Sequence, residues 1–422
     1  MLLDNVKGLV RQYLITETDF VKAKDNIDDD QLRRYALKAI DVICQKAEIV
    51  LNEEEIGSIV REIVSSVISL GPVRDLMEDE SVSEIMINGP TQIFIQRDGK
   101  IQLSDVKFES SNELSHMIQK ILAASGSGRR VDESSPYVDF SLLDGSRVNI
   151  VIPPVSLSGA IVTIRKFSSR IETVDDLIKL GMFNEEMAEF LVAAIKAKLN
   201  IIFSGATGTG KTTALNVLGK HIPSEERIVT IEDTAELGFK KEHVVRLQAK
   251  AANVEGKGTV SIRDLFVNSL RMRPDRIIIG EVRGSEALDL IQSISSGHSG
   301  SLAIVHGESP TDCYNRLVTM LLMSGIQLSV DEIRRQIACA IDLIVHVELF
   351  IDGKRRVTHI ADLYYDGENK DVILEDVFYF DQKEITEDGK VIGNWVLKKR
   401  KPSFLKKFEK RNIKLPSNLF EL

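Results

Sequence analysis

Gly205-Ala206-Thr207-Gly208-Thr209-Gly210-Lys211-Thr212 fits the pattern G-x-x-x-x-G-K-[ST], and its reading decides the fold. Asn200-Ile201-Ile202-Phe203-Ser204 before it is a short apolar run, expected as a buried strand. Thr213 to Lys220 after it is expected to start a helix. A loop between a strand end and a helix N-terminus gathers unpaired N–H groups and the positive end of the helix dipole, which together favour an anion. Glycines let the backbone wrap a phosphate without Cβ clashes. Lys211 would then reach β- and γ-phosphates, and the Thr212 hydroxyl a Mg²⁺ ion, with Thr213 beside it in the first helical turn.

The 422 residues suggest about two to four domains with ordinary cores. A net charge of −9 argues against a nucleic-acid track as the main partner. Cys44, Cys313 and Cys339 form no CxxC pair, so neither a disulfide framework nor a zinc site is indicated, and a reducing cytoplasm fits. Charges at Asp4, Lys7, Arg11, Glu17 and Asp19 exclude a signal peptide reading of the first twenty residues. No stretch reads as a transmembrane helix, so any membrane association is expected through partners.

Taken in order, residues 1–79 are expected to be helical. Leu32 to Val50 and Glu54 to Leu70 carry apolar three-to-four spacing, Asp25 to Asp30 is an acidic break, and Gly71-Pro72 is a stop. This segment reads equally as a partner-docking module or as a plain helical bundle. Residues 80–168 are expected as an α+β domain. It has strands at Glu84 to Pro90 and Gln92 to Gln96, a turn at Asp98-Gly99, a helix at Asn112 to Ala124, a hairpin through Asp144-Gly145, and a strand at Ala160 to Phe167. Arg129, Arg130, Arg147 and Arg165 fall near its strand or loop ends. Residues 169–180 read as a linker. Residues 181–350 alternate strand and helix around the loop, which means a mostly parallel sheet with ligands at its C-terminal strand ends. Residues 351–422 read as hairpins and a basic tail. In that tail Phe404, Leu405 and Phe408 share one helical face, suited to a membrane surface or, the favoured reading, to packing on its own domain.

Several candidates for chemistry stand where strands end. Glu232-Asp233 closes the strand after the loop helix, where a carboxylate can position or deprotonate a water; Asp233 or Thr234 would also serve as an N-cap. Glu281 follows Ile277-Ile278-Ile279-Gly280, a place suited to holding Mg²⁺ through water. His306 ends a third strand and reads as a γ-phosphate sensor or as a structural histidine. His298, in Gly297-His298-Ser299-Gly300, has no clustered ligands for a metal.

These motifs, in this order, carry a resemblance. The loop, Ile228 to Leu237, Leu270 to Gly284 and Gly297 to Leu302 resemble the Walker A, Asp box, Walker B and His box of the type II/type IV secretion ATPase superfamily. Asp132 to Asp139, Asp144 to Asn149, Asp371 to Phe378, the helical front and Lys401 to Leu405 look most like its CpaF branch, from tight-adherence (Tad/Flp) pilus assembly. The resemblance implies an α/β fold. A RecA-like P-loop NTPase domain would follow an α+β, PAS-like N-terminal domain and a helical segment. It implies a homo-hexameric motor at the cytoplasmic face of the inner membrane, hydrolysing ATP with Mg²⁺ between the two domains and engaging inner-membrane pilus platform proteins. The work would be filament assembly, or assembly and retraction. It implies Glu232 as catalytic glutamate, Glu281 as Walker B glutamate, His306 as the His-box histidine nearest the phosphate, and Arg147 and Arg165 as the arginines that close the site. Gly307-Glu308-Ser309 departs from the family's more usual Ala-Asn-Ser.

A DNA-translocating conjugation or type IV secretion motor uses the same engine and is the competing reading, disfavoured by the acidic charge. A GTPase would need N-K-x-D, and Asn369-Lys370-Asp371-Val372 ends in Val. A stand-alone kinase-like enzyme would not need the arginine-bearing domain.

Overall fold

The computed structural model describes residues 9–10, 13, 29–47, 49, 51, 56–57, 59–60, 70–97, 100–124, 130–142, 145–166, 171–239, 241–250, 258–398, 400–415 and 419. The chain forms two compact units, Met1–Ser168 and Ser169–Leu422.

In the first unit, helix α1 (Asp29–Ala47) buries Ala36, Ala39, Ile40 and Ile43, the spacing of a single apolar face. Asp29 and Asp30, from the expected acidic break, lie within the helix. Most of the expected helix from Glu54 to Leu70 lies outside the described residues, as do the Asp98-Gly99 turn, Asp144 and Arg129. After the short helix α2 (Arg74–Glu78) comes a six-stranded antiparallel sheet in the order β3-β2-β1-β6-β5-β4. Its strands are β1 (Val82–Asn88), β2 (Ile93–Arg97), β3 (Lys100–Leu103), β4 (Tyr137–Ser141), β5 (Arg147–Val151) and β6 (Ile161–Arg165). Alternate residues such as Ile85, Ile87, Val148, Ile150, Val162 and Ile164 share a core with Leu114, Met117 and Ile121 of helix α3 (Ser111–Ala124). Strand β3 has no counterpart in the sequence reading. All four of its side chains are exposed, Ile101 and Leu103 included, so its short polar–apolar alternation marks no buried face.

The second unit is built on a nine-stranded sheet in the order β15-β14-β13-β12-β7-β11-β10-β8-β9. Strands β7 (Ile201–Gly205), β8 (Ile228–Glu232), β9 (Val244–Gln248), β10 (Arg276–Ile279), β11 (Leu302–His306) and β12 (Leu343–Leu349) are parallel. The runs in β7, β8 and β10 are buried throughout because helices cover both faces. Ile201 and Phe203 point into one core, shared with α5 (Glu185–Lys196) and α6 (Lys211–Gly219). Ile202 points into the other, shared with α8 (Glu286–Ser295), α9 (Pro310–Met323) and α10 (Val330–Ala340). Between β9 and β10 lies α7 (Ile262–Ser269), capped by Ser261.

Two expected boundaries differ. Half of the expected linker at 169–180 is helix α4 (Val174–Lys179), because Thr173 and Asp176 form a reciprocal capping box and Leu177 is buried. The stretch 351–422 is not a segment apart. Strands β13 (Arg355–Asp366), β14 (Asp371–Ile385) and β15 (Val391–Leu397) continue the same sheet antiparallel from β12. The tail then returns under it. In and beside helix α11 (Leu405–Lys410), Phe404, Leu405 and Phe408 are buried around Phe190 of α5. Two buried carboxylates hold the tail: Asp342 accepts from Lys407 Nζ at 2.6 Å, and Asp362 accepts from Arg400 Nη2 at 2.8 Å and Ser403 Oγ at 2.6 Å. Own-domain packing, not membrane contact, is therefore what this apolar face does.

Phe408→Ala is expected to lower the stability of the second unit by about 3–5 kcal/mol, as for other buried phenylalanines. Denaturant unfolding checks this, and a loss under about 1 kcal/mol would make the tail peripheral.

Candidate functional site

The quoted loop leaves β7 at Gly205, and α6 starts at Lys211. Gly208 and Gly210 have φ of +79° and +93°, which glycine adopts at no steric cost. At Gly205 the reason for glycine is space. A Cβ there would stand 2.2 Å from the Val347 main-chain oxygen and 2.8 Å from Thr209 Oγ1. Thr209 donates its hydroxyl to Ala206 O at 2.9 Å, closing the loop on itself. Lys211 is buried, and its Nζ donates to Gly205 O at 3.0 Å and Ala206 O at 2.6 Å. Ala206 and Thr207 are exposed, and Thr212 and Thr213 are half-buried in the first turn of α6.

Three more expected residues stand at neighbouring strand ends. His306, last in β11, is the register partner of Gly205. Its Nε2 lies 3.1 Å from Glu281 Oε1, just past β10. Val282 N donates to Ile304 O at 2.8 Å, tying the Glu281 loop to β11. Arg283 holds the same carboxylate from the other side, with Nε 2.6 Å from Oε1 and Nη2 donating to Oε2 at 2.6 Å. Burial works against ionisation of Glu281, but the Arg283 hydrogen bond and the charges of His306, Arg283 and Lys211 outweigh it and hold its carboxyl below the usual value. Burial, with Lys211 close by, pushes the His306 imidazole down despite Glu281. Lys211, His306 and Glu281 thus act on one another electrostatically.

Glu232 ends β8, the strand next to β10. Strand β8 is three positions from β7, about 14 Å at the usual interstrand spacing. Its side chain is 2% exposed, and its Oε1 accepts the N–H groups of Glu236 at 2.7 Å and Leu237 at 2.8 Å. Burial dominates over these bonds and pushes its carboxyl up to about 7. The N-cap alternative for Asp233 or Thr234 does not apply, since no helix follows them.

Arg147 and Arg165 belong to the first unit, directly opposite each other on β5 and β6. Like charges in that position are destabilising. Asp139 relieves Arg147, with Oδ2 at 2.8 Å from Nη2, and Glu84 relieves Arg165 at 3.8 Å. Arg130 is exposed. His298 plays a structural part: its N donates to Ser293 O at 3.1 Å, and its Nδ1 lies 3.3 Å from the same oxygen.

Several residues that matter here have no role of their own in the sequence reading. Asn200, one residue before β7, accepts Gly300 N at 2.7 Å and Ser301 N at 3.2 Å, and donates to Ala340 O at 2.8 Å. It clamps the His-box turn and β12 to the loop strand. Buried Arg276 donates to Glu226 Oε2 at 2.5 Å and to Ile195 O at 2.8 Å, holding β10 in place. A Cβ on Gly280 would stand 2.9 Å from Glu232 Cγ, so this glycine makes room for the buried carboxylate. The Gly307 departure has a reason of the same kind: a Cβ there would stand 2.9 Å from Cys313 N. Ser309 beside it caps α9.

Comparison with known proteins gives a consistent answer. The family described as T2SSE, Type II/IV secretion system protein, matches residues 67–356. The type IV secretion system protein VirB11 of Brucella suis is 32% identical over 333 residues, 71% of this chain and 90% of its own. A protein named for conjugal transfer in Mycobacterium tuberculosis is 30% identical over 317 residues, 74% of this chain and 89% of its own. The crystal structure of the Brucella suis VirB11 ATPase gives a TM-score of 0.38 at 29% identity, covering 72% of this chain and 96% of that one. The match reaches through both units, and these relatives match over most of their own length, so the chain belongs to the type II/IV secretion system protein family and is an ATPase.

Proposed function

We propose that this ATPase is a hexameric motor of the Tad/Flp type IV pilus. It would work at the cytoplasmic face of the inner membrane and engage the pilus platform proteins there. The observation that carries the enzymology is the His306–Glu281 contact at the C-terminal ends of β11 and β10, with His306 in register with Gly205, whose carbonyl Lys211 holds. The pilus assignment rests on the stretches that resemble the CpaF branch. Among the described residues no helix is long and apolar enough to cross a membrane, and membrane association through partners is part of the same proposal. The relatives named for conjugal transfer and type IV secretion favour a second reading, a conjugation or secretion motor. The net charge of −9 favours a protein track over a DNA track. Salt-dependent DNA binding, measured against a random duplex, separates the two.

Hydrolysis follows from the groups present. The residues Gly205 to Thr213 suit a triphosphate, since the loop must have glycine at Gly205, Gly208 and Gly210 to curve as it does. Lys211 would exchange its loop carbonyls for β- and γ-phosphate oxygens. Thr212 and Glu281 would hold Mg²⁺, which when bound neutralises charge on the phosphates. Among the described residues no three carboxylate, histidine or cysteine side chains cluster as a metal site, and Mg²⁺ commonly relies on one or two protein groups, water and the substrate's phosphates. A water attacks the γ-phosphorus, the bond to the β–γ bridging oxygen breaks, and the water's proton must leave. Glu281, kept ionised by Arg283 and His306, is a weak base. Glu232, poised near 7, is matched to accept a proton at neutral pH, and its strand offset calls for relay through water. Arg147 and Arg165, each paired here with a carboxylate, would exchange that partner for the γ-phosphate, a contribution of about 10³–10⁵ in rate for such arginines.

Lys211→Ala is expected to abolish ATP turnover, and wild-type turnover in that variant would remove the loop from the site. Arg147→Ala is expected to leave ATP binding measurable while lowering the hydrolysis rate by orders of magnitude, about 10³-fold or more. Unchanged single-turnover kinetics would dismiss Arg147. For Glu232, kcat should rise with pH through about 7, and Glu232→Gln should be slow and flat there. The same shift has a stability sign. A carboxyl raised in the folded state favours folding below its unfolded pKa and loses that advantage as pH climbs to about 7, so Glu232→Gln should gain relative to wild type from pH 5 to 8. If Glu281→Gln rather than Glu232→Gln flattens the rate profile, the two roles are exchanged.

A further inference from the structure

The turn between β12 and β13 is held firmly. Phe350 N donates to Lys354 O and Gly353 N to Phe350 O, each at 2.9 Å. Asp352 takes a two-pronged bond from Arg356, at 3.0 and 2.7 Å, and both side chains are buried. The Arg356 guanidinium also lies 4.7 Å from the Phe350 ring centroid. Neighbouring residues of a strand point to opposite faces. With Arg356 fixed on one face, Arg355 is delivered to the other, and there it meets the phosphate loop.

Arg355 Nε donates to Gly208 O at 2.8 Å. A Cβ built on Gly210 would stand 3.2 Å from Arg355 Cδ and 3.0 Å from Met182 Cε. Met182 is fixed beside it, its carbonyl accepting Val357 N at 2.7 Å. One wall of the loop is therefore made by Arg355, 147 positions downstream of Gly208, and by Met182, which follows α4. The peptide from Gly208 to Thr209 is planar and trans, so its C=O and N–H point in opposite directions. A guanidinium that holds the carbonyl outward turns the Thr209 N–H to the other side.

We propose that Arg355 is a positioning residue for nucleotide. By fixing the Gly208 carbonyl it presents the Thr209 N–H to the β-phosphate, and its charge supports the same group. The proposal rests on reading Gly205 to Thr213 as the nucleotide site. The β-phosphate is present in ADP and in ATP, and its contacts change little as the γ-phosphate leaves. Loss of Arg355 should then weaken ground state and transition state alike, raising KM without lowering kcat.

Arg355→Met keeps the aliphatic packing on Gly210 and removes only the guanidinium. Calorimetric titration with Mg–ADP and steady-state ATP hydrolysis on the full chain test it, with wild type and Lys211→Ala alongside. The expected result is a rise of about tenfold or more in ADP Kd and ATP KM, kcat within about threefold, and an unchanged melting temperature. Arg355→Lys should recover to within about threefold of wild type, because an ammonium can still donate to the carbonyl and keep the charge. If Arg355→Met does not fold, Arg355→Gln is read by the same criteria. Unchanged ADP affinity in the Met variant, with binding lost in Lys211→Ala, would leave the site standing and overturn the proposal. So would a fall in kcat at constant KM, or a lysine that rescues nothing. A wild type that binds no ADP would instead remove the nucleotide reading, and this inference with it.

Discussion

The end of the loop strand has room for a hydrogen atom and nothing larger. Gly205 presses against the Val347 main-chain oxygen, so β7 and β12 approach more closely at that point than any side chain allows. The rest of the second unit is arranged around this contact. Strand β12 must be in place before the loop has its outer wall, and Asn200 and Asp342 fix the start of the same strand pair through N–H and carboxylate bonds. Close-packed interiors transmit displacement poorly by bending and well by shifting whole elements.

Two glutamates at the same sheet edge illustrate how environment divides one chemistry into two. Glu281 lies between an arginine and a histidine and stays ionised. Glu232 is enclosed, with only two main-chain N–H groups to support a charge, and burial wins. The residue type is identical; burial opposes charge at both, and only Glu281 has an arginine and a histidine to outweigh it. The charge state of each carboxylate is thus set by strand order as much as by residue identity.

The loop, the parallel strands and the strand-end positions of Glu232, Glu281 and His306 were legible in the sequence, because each combines a local motif with an apolar run of the right length. What escaped was long-range. Arg355 follows a turn with no motif, and nothing near it in sequence indicates that Gly208 is its partner. Asn200 reads as an ordinary polar residue before a strand until Gly300 and Ala340 arrive beside it. The tail's own-domain packing was the favoured reading, but not its two carboxylate anchors, since Asp342 and Asp362 look like surface residues when their partners are unknown. Gly280 escaped for a different reason: its cause is the bulk of Glu232, which only the folded strands bring near. Spacing rules read one element at a time, and these residues act between elements.

The tail that returns under the sheet also imposes an order in time. Asn200 is synthesised well before Ala340 and Asp342, and Asp342 before Lys407. A chain growing from its N-terminus makes the phosphate loop midway, yet the strand beside that loop and the anchors beneath that strand come from the last quarter. Non-local contacts are slow to form because the intervening chain must first be closed. A chain made only as far as the loop thus carries the loop sequence without its supporting wall, which waits on residues far downstream.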